Sequence, residues 1–124
     1  DIANDYRIRN DNDLFGDVLS EWETKSVSVT YQATYDGFVV AYVNGSSPAY
    51  GTLEIQSDSS SSPGTTRGIC SIDRSDSVDD FVQYCQVMAP VKKGDYYEVI
   101  PGITGSYSAT VYIISLCAYQ NECS

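Results

Sequence analysis

The chain contains no histidine. That removes the arrangements that most often do chemistry at neutral pH, because a Ser-His-Asp or Cys-His site has no base to build on. What remains is a set of 17 Asp and Glu residues, from which a glycosidase-type carboxylate pair could formally be drawn. No two of them share an apolar setting that would raise one pKa and so separate an acid from a base. The expectation is a protein without catalytic residues, not an enzyme.

Acidic residues can also hold cations. The run Asp11, Asn12, Asp13 with Gly16 and Asp17 invites a calcium-loop reading, but Phe15 stands where an oxygen ligand is needed and Trp22 where the closing Glu belongs. The stretch with Asp73, Asp76, Asp79 and Asp80 is a better irregular site, four carboxylates between two strands. Two readings stay open for it: a solvated acidic loop, or a Ca2+ site. No other cofactor is expected.

Cys70, Cys85, Cys117 and Cys123 allow three disulfide pairings. Cys70 with Cys85 and Cys117 with Cys123 is the expected map, since the first two lie in neighbouring strands and the last two close a short loop. Buried free thiols are the alternative, and zinc is disfavoured by the absence of both histidine and a close Cys-x-x-Cys pair. Asn44, Gly45 and Ser46 form an N-glycosylation acceptor in an expected turn, and the Ser and Thr residues of 57–66 could carry O-linked sugar. Eleven tyrosines suit interfaces or sugar stacking, or are ordinary sheet residues with a wet hydroxyl.

The net charge of −10 would repel a phosphate backbone, so nucleic acid is not an expected partner. No apolar run reaches the roughly 18 residues of a membrane span, so no membrane insertion is expected. A first residue of Asp rather than Met fits a mature secreted product or a trimmed segment equally well. With an even number of cysteines, the expected location is secreted, extracellular or surface-displayed.

The elements that must position these residues read as strands. Residues 1–20 form an acidic N-terminal arm in which apolar residues appear singly. Tyr6 and Ile8 could make a lone strand, and Leu14 and Phe15 could dock, on the arm's own domain or on a neighbouring subunit. Residues 21–124 form one β-domain. Alternation through Val27, Val29 and Tyr31 predicts a half-buried strand, and the run 38–43 is too short for a helix and predicts a central one. A turn at 44–48, a strand at Leu53 and Ile55, strands over 68–72 and 81–88, and a last strand over 107–116 follow. Residues 86–100 read as a hairpin around Lys92, Lys93, Gly94 and Asp95. The fold class is all-β: an antiparallel two-sheet β-sandwich, or jelly roll, of about seven or eight strands with an extended arm.

Three stretches in this order resemble the jelly-roll modules of the complement and tumour-necrosis-factor-like superfamily, and their relatives in phage tail-fibre tips and bacterial collagen-like proteins. They are Asp36, Gly37, Phe38, Val39, Val40, Ala41 and Tyr42; residues 87–99 with Lys93, Gly94 and Asp95 at the turn; and residues 107–116. The resemblance implies self-association, often trimeric, and recognition through exposed loops or a groove. The arm here has no collagen-like repeat or heptad pattern, and an open head-to-tail assembly through it fits as well. The functional expectation is a self-assembling structural module of a fibre or appendage whose partners are copies of itself. The alternative is a glycan- or receptor-binding tip domain.

Overall fold

A computed structural model describes residues 19–74 and 83–116. Among them lie six strands: β1 (Glu23–Lys25), β2 (Tyr31–Gln32), β3 (Gly37–Asp58), β4 (Thr66–Arg74), β5 (Gln83–Val91) and β6 (Tyr96–Ser115). Every ladder is antiparallel and there is no helix among the described residues. The all-β expectation is met by one sheet rolled into a nearly closed barrel.

Two long strands organise the sheet. β3 and β6 pair along their whole length, from Gly37 opposite Ser115 to Asp58 opposite Tyr96. On its other edge β3 pairs with β5 through residues 37–45 and with β4 through residues 49–56. β6 likewise pairs with β1 at 111–113 and with β2 at 96–97. The long pair turns a corner where Ser46 faces Ser106 and Ala49 faces Gly105, with Ser47 and Pro48 bulged out of the ladder. Proline suits this spot because it has no N–H to leave unpaired. Gly105 sits opposite at φ +111°, and a Cβ there would lie 2.1 Å from the Pro48 carbonyl oxygen. The backbones approach this closely because Gly105 has no side chain.

Side chains alternate along a strand, so one parity faces inward throughout. Val39, Ala41, Val43, Ala49, Leu53 and Ile55 of β3 meet Tyr97, Val99, Val111 and Ile113 of β6, and Ile72, Val87, Ala89 and Val91 complete the core. Full burial of one Val, Leu or Ile is worth about 1.5–3 kcal/mol. This shared stripe therefore holds the two halves of the folded sheet together. β4 and β5 meet at the seam without a ladder, and the Cys70–Cys85 disulfide crosses it with Cα atoms 5.9 Å apart. That is the first of the two expected pairings; Cys117 and Cys123 lie outside the described residues.

Three local expectations are corrected. Residues 44–48 are not a turn, because the β3–β6 ladder runs through them and, on the other strand, through 100–106, and that joins expected strands and reduces seven or eight to six among the described residues. The strand expected through Val27, Val29 and Tyr31 is split into β1 and β2 by a turn with Ser28 at φ 60°. β1 and β2 pair with opposite ends of a bent β6, so residues 26–30 have to span the gap. The expected hairpin of 86–100 has the right turn, with the Asp95 N–H donating to the Lys92 carbonyl at 3.0 Å and Gly94 at φ +89°. Its two arms, however, each pair with β3 rather than with one another, at opposite ends of that strand.

Candidate functional site

Outward-facing positions on the β1/β5 half of the sheet form continuous rows. Thr24, Tyr112, Val40 and Met88 stand side by side across four strands. The rows beside them run Thr110, Tyr42, Gln86 and Ile114, Phe38, Pro90, and Ser108, Asn44, Tyr84 close the set towards the corner. None of these residues is Asp, Glu, Lys or Arg, in a chain of net charge −10. Several are large, apolar and exposed: Trp22 is 56% accessible, Met88 60% and Tyr84 67%.

An aromatic cluster lies at the middle of this face. Trp22 meets Tyr112 edge-on at 6.4 Å between ring centroids, and Tyr42 lies at the same distance from Tyr112 with its ring tilted by 32°. The hydroxyls of Tyr42 and Tyr112 are hydrogen-bonded, and this bond, followed by the Coulombic effect of Tyr42 and partial burial, raises the Tyr112 pKa. A surface of this kind can stack on a flat apolar partner while offering two hydroxyls.

The outer face of the other half is different in kind. Glu54, Asp58, Asp73 and Glu98 have the outward parity there, with Thr30 donating to Glu98 Oε1 at 2.7 Å and Thr66 donating to Glu54. Asp58 closes the β3–β4 loop: Gly64 N–H, Ser60 N–H, and the hydroxyl and N–H of Thr65 all donate to its carboxylate at 2.9–3.0 Å. These bonds, that from Gly64 foremost, lower its pKa from 3.8 to about 2.

A third feature lies at the pole opposite the corner. A cavity of about 630 Å3 opens there between the Lys92–Asp95 turn and the start of β3, lined by Arg67, Lys92, Lys93, Asp36, Asp95, Phe38 and Leu116 among others. Arg67 Nε donates to the Ser57 carbonyl at 2.8 Å, and the Lys93 N–H donates to Asp36 Oδ1 at 2.8 Å.

Comparison of the chain with protein-family models, with curated proteins and with solved structures gives no match. The reading of the site rests on its own geometry.

The residues singled out from sequence are distributed unevenly over this framework. Asp73 lies in β4, its N–H donating to Gln83 Oε1 at 2.7 Å, while Asp76, Asp79 and Asp80 fall outside the described residues. No group of three metal-ligating side chains occurs among the described residues. Asn44 is not in a turn; it is half-buried in β3 between Tyr84 and Ser108, at the rim of the uncharged face. Of the arm, Tyr6, Ile8, Leu14 and Phe15 lie outside the described residues. Its last two residues are docked on the sheet, Leu19 bridging Leu116 and the Ser20 N–H donating to the Ser115 carbonyl at 2.8 Å. Trp22, Phe38, Val40 and Met88 are the members of the face that residue types alone do not reveal.

Proposed function

We propose that the protein is a non-enzymatic structural module of an extracellular assembly, and that it associates with copies of itself through the uncharged face. The observation that carries this reading is the segregation of charge. Two chains of net charge −10 repel one another, and a face without ionised side chains is where two copies can meet with neither like-charge contact nor buried unpaired charge. Aromatic residues and Met are also the types enriched where protein interfaces are fully desolvated. The Cys70–Cys85 disulfide supports an oxidising location. The finer description of the fold as a jelly-roll sandwich belongs to this proposal, the two packed halves of the rolled sheet standing for its layers.

The test uses the single tryptophan, which stands on the face itself. Sedimentation velocity over a wide concentration range should show oligomers, with Trp22 emission shifting to shorter wavelength as they form. Met88→Lys and Tyr42→Lys should sediment as folded monomers. A wild-type chain that stays monomeric, with unchanged Trp22 emission at the highest soluble concentration, overturns the proposal.

The hydroxyl-bearing pair Tyr42 and Tyr112 beside Trp22 supports a second reading, a glycan-binding tip domain. Saturable quenching of Trp22 by an oligosaccharide, lost in Tyr112→Ala, would favour it over self-association.

A further inference from the structure

Lys25, Arg67, Lys92 and Lys93 are the basic side chains whose surroundings are described, and all but Lys25 line the cavity beside the Lys92–Asp95 turn. Lys25 is engaged elsewhere, 3.3 Å from Glu23 and 4.8 Å from the Tyr31 ring centre. For the other three no carboxylate stands within ion-pair distance among the described residues, although Asp36 and Asp95 share the same walls. Three cations and two carboxylates leave this lining one unit positive, in a chain of net charge −10.

Two local devices shape the site. Ser57 follows the inward parity of Leu53 and Ile55, and at 3% exposed it is the one buried hydrophilic residue among those described. It lines the cavity, and its hydroxyl has no hydrogen-bond partner among the described residues. Such a group costs stability unless something in the cavity bonds to it. Arg67 reaches the same place by way of a bulge. Ile55 pairs with Gly68 and Gln56 with Thr66, so Arg67 is the extra residue between them, released from the alternation of the strand. Its Nε donates to the Ser57 carbonyl at 2.8 Å, which holds the guanidinium beside Ser57 and leaves both Nη groups without a partner among the described residues.

We infer that this cavity binds a small organic monocarboxylate with an apolar body. A guanidinium presents parallel N–H groups that match the two oxygens of a carboxylate, and fixing its Nε in advance removes part of the cost of ordering it. The Ser57 hydroxyl supplies a further donor on the buried side, and Lys92 and Lys93 supply charge from the turn. The charge balance selects the charge of the ligand. One surplus positive unit suits a monoanion, whereas a phosphate dianion would bring excess negative charge up to Asp36 and Asp95. The remaining walls select its body: Phe38, Val91 and Leu116 are apolar, and a volume of about 630 Å3 suits a small organic molecule. Binding here requires no second copy, so it stands apart from association through the uncharged face.

The experiment titrates the isotope-labelled full chain with hexanoate and with phenylacetate, followed by NMR. At least one of the two should shift the Ser57 and Lys93 backbone signals and the Arg67 Nε–H signal saturably. The neutral amide of the same acid should bind at least about tenfold more weakly, since hydrogen bonds to a charged group are lost. Inorganic phosphate should bind more weakly than the acid. Arg67→Lys keeps the charge and loses the fork, and should weaken binding several-fold in a chain whose spectrum stays folded. Ser57→Ala should also weaken it, with a melting temperature at or above that of the wild type, since no bond within the described residues is lost. Failure of both acids to bind at the highest soluble concentration overturns the site, as does equal binding of acid and amide or wild-type affinity in both variants. Phosphate binding tighter than either acid overturns the monocarboxylate assignment.

Discussion

Tyr42 on β3 and Tyr112 on β6 stand two positions out of register across the ladder, and their phenol hydroxyls are hydrogen-bonded to each other. Diagonal neighbours on an antiparallel pair are close enough for long aromatic side chains to meet. The bond fixes both rings on the uncharged face and makes the proton on Tyr112 hard to remove.

Alkaline pH should therefore destabilise the fold. Burial, with smaller effects of Glu23 and Tyr31, pushes the Tyr97 phenol well above its ordinary value of 10.0, and Tyr112 is raised as well. Unfolded tyrosines release their protons near pH 10 while these two retain theirs, so the stabilisation is intact below that pH and is lost as pH rises towards the folded values. Chemical denaturation followed between pH 9 and 12 should show a falling midpoint. Tyr42→Phe should return Tyr112 towards an ordinary phenol, seen as earlier ionisation of its ring signal by NMR.

At the acid end the responsible group is Asp58. Its pKa is lowered to about 2, so its contribution is present above the unfolded carboxylate range near 3.9 and disappears as pH falls from there towards 2. Melting temperatures should drop over that window in the wild type. Asp58→Asn should melt lower at neutral pH, change less between pH 4 and 2, and be cut faster by protease in residues 59–65.

Removing the seam disulfide should cost about 3 kcal/mol, the loop-closure value for a link of this span. Cys70 and Cys85 are 15 residues apart and join two strands that share no ladder, so no array of backbone bonds takes over when the link is lost. The double variant C70S/C85S, measured by urea denaturation, should show the shift. An unchanged midpoint would mean that the core alone closes the barrel.

The corner makes a sharper demand on one residue. At Gly105 any side chain meets both an unfavourable positive φ and the Pro48 carbonyl, and Gly105→Val should cost at least about 1–3 kcal/mol. Gly64→Ala is the control, since a Cβ there meets nothing within 4 Å. It should melt within a degree or two of the wild type.

The sequence makes strand identity legible wherever period-two alternation is clean, as over Tyr107, Ala109, Val111 and Ile113. It is poor at partners. Gln86 to Ile100 reads as strand, turn and strand, and is, but periodicity says nothing about which edge each arm meets, and both meet β3. Turn-forming residues also misled at Asn44–Pro48, where Gly and Pro serve a bend within a continuous strand rather than a reversal. The face was half legible. The run Phe38, Val39, Val40, Ala41, Tyr42 is apolar on both parities, which suits burial on both sides; the structure buries one side and leaves Tyr42 on the other among exposed residues. Only the register brings Trp22 and Met88, 66 positions apart, onto the same surface.

The bridge between Leu19 and Leu116 also sets how the domain would bear load. Both points lie at one end of an antiparallel pair, so tension applied between them peels the β1–β6 ladder open from that end, one bond after another, beginning with Ser20 and Ser115. Such a joint resists pulling far less than strands sheared along their length. In the assembly proposed above, force would then have to pass from copy to copy across a broad lateral contact rather than through this joint.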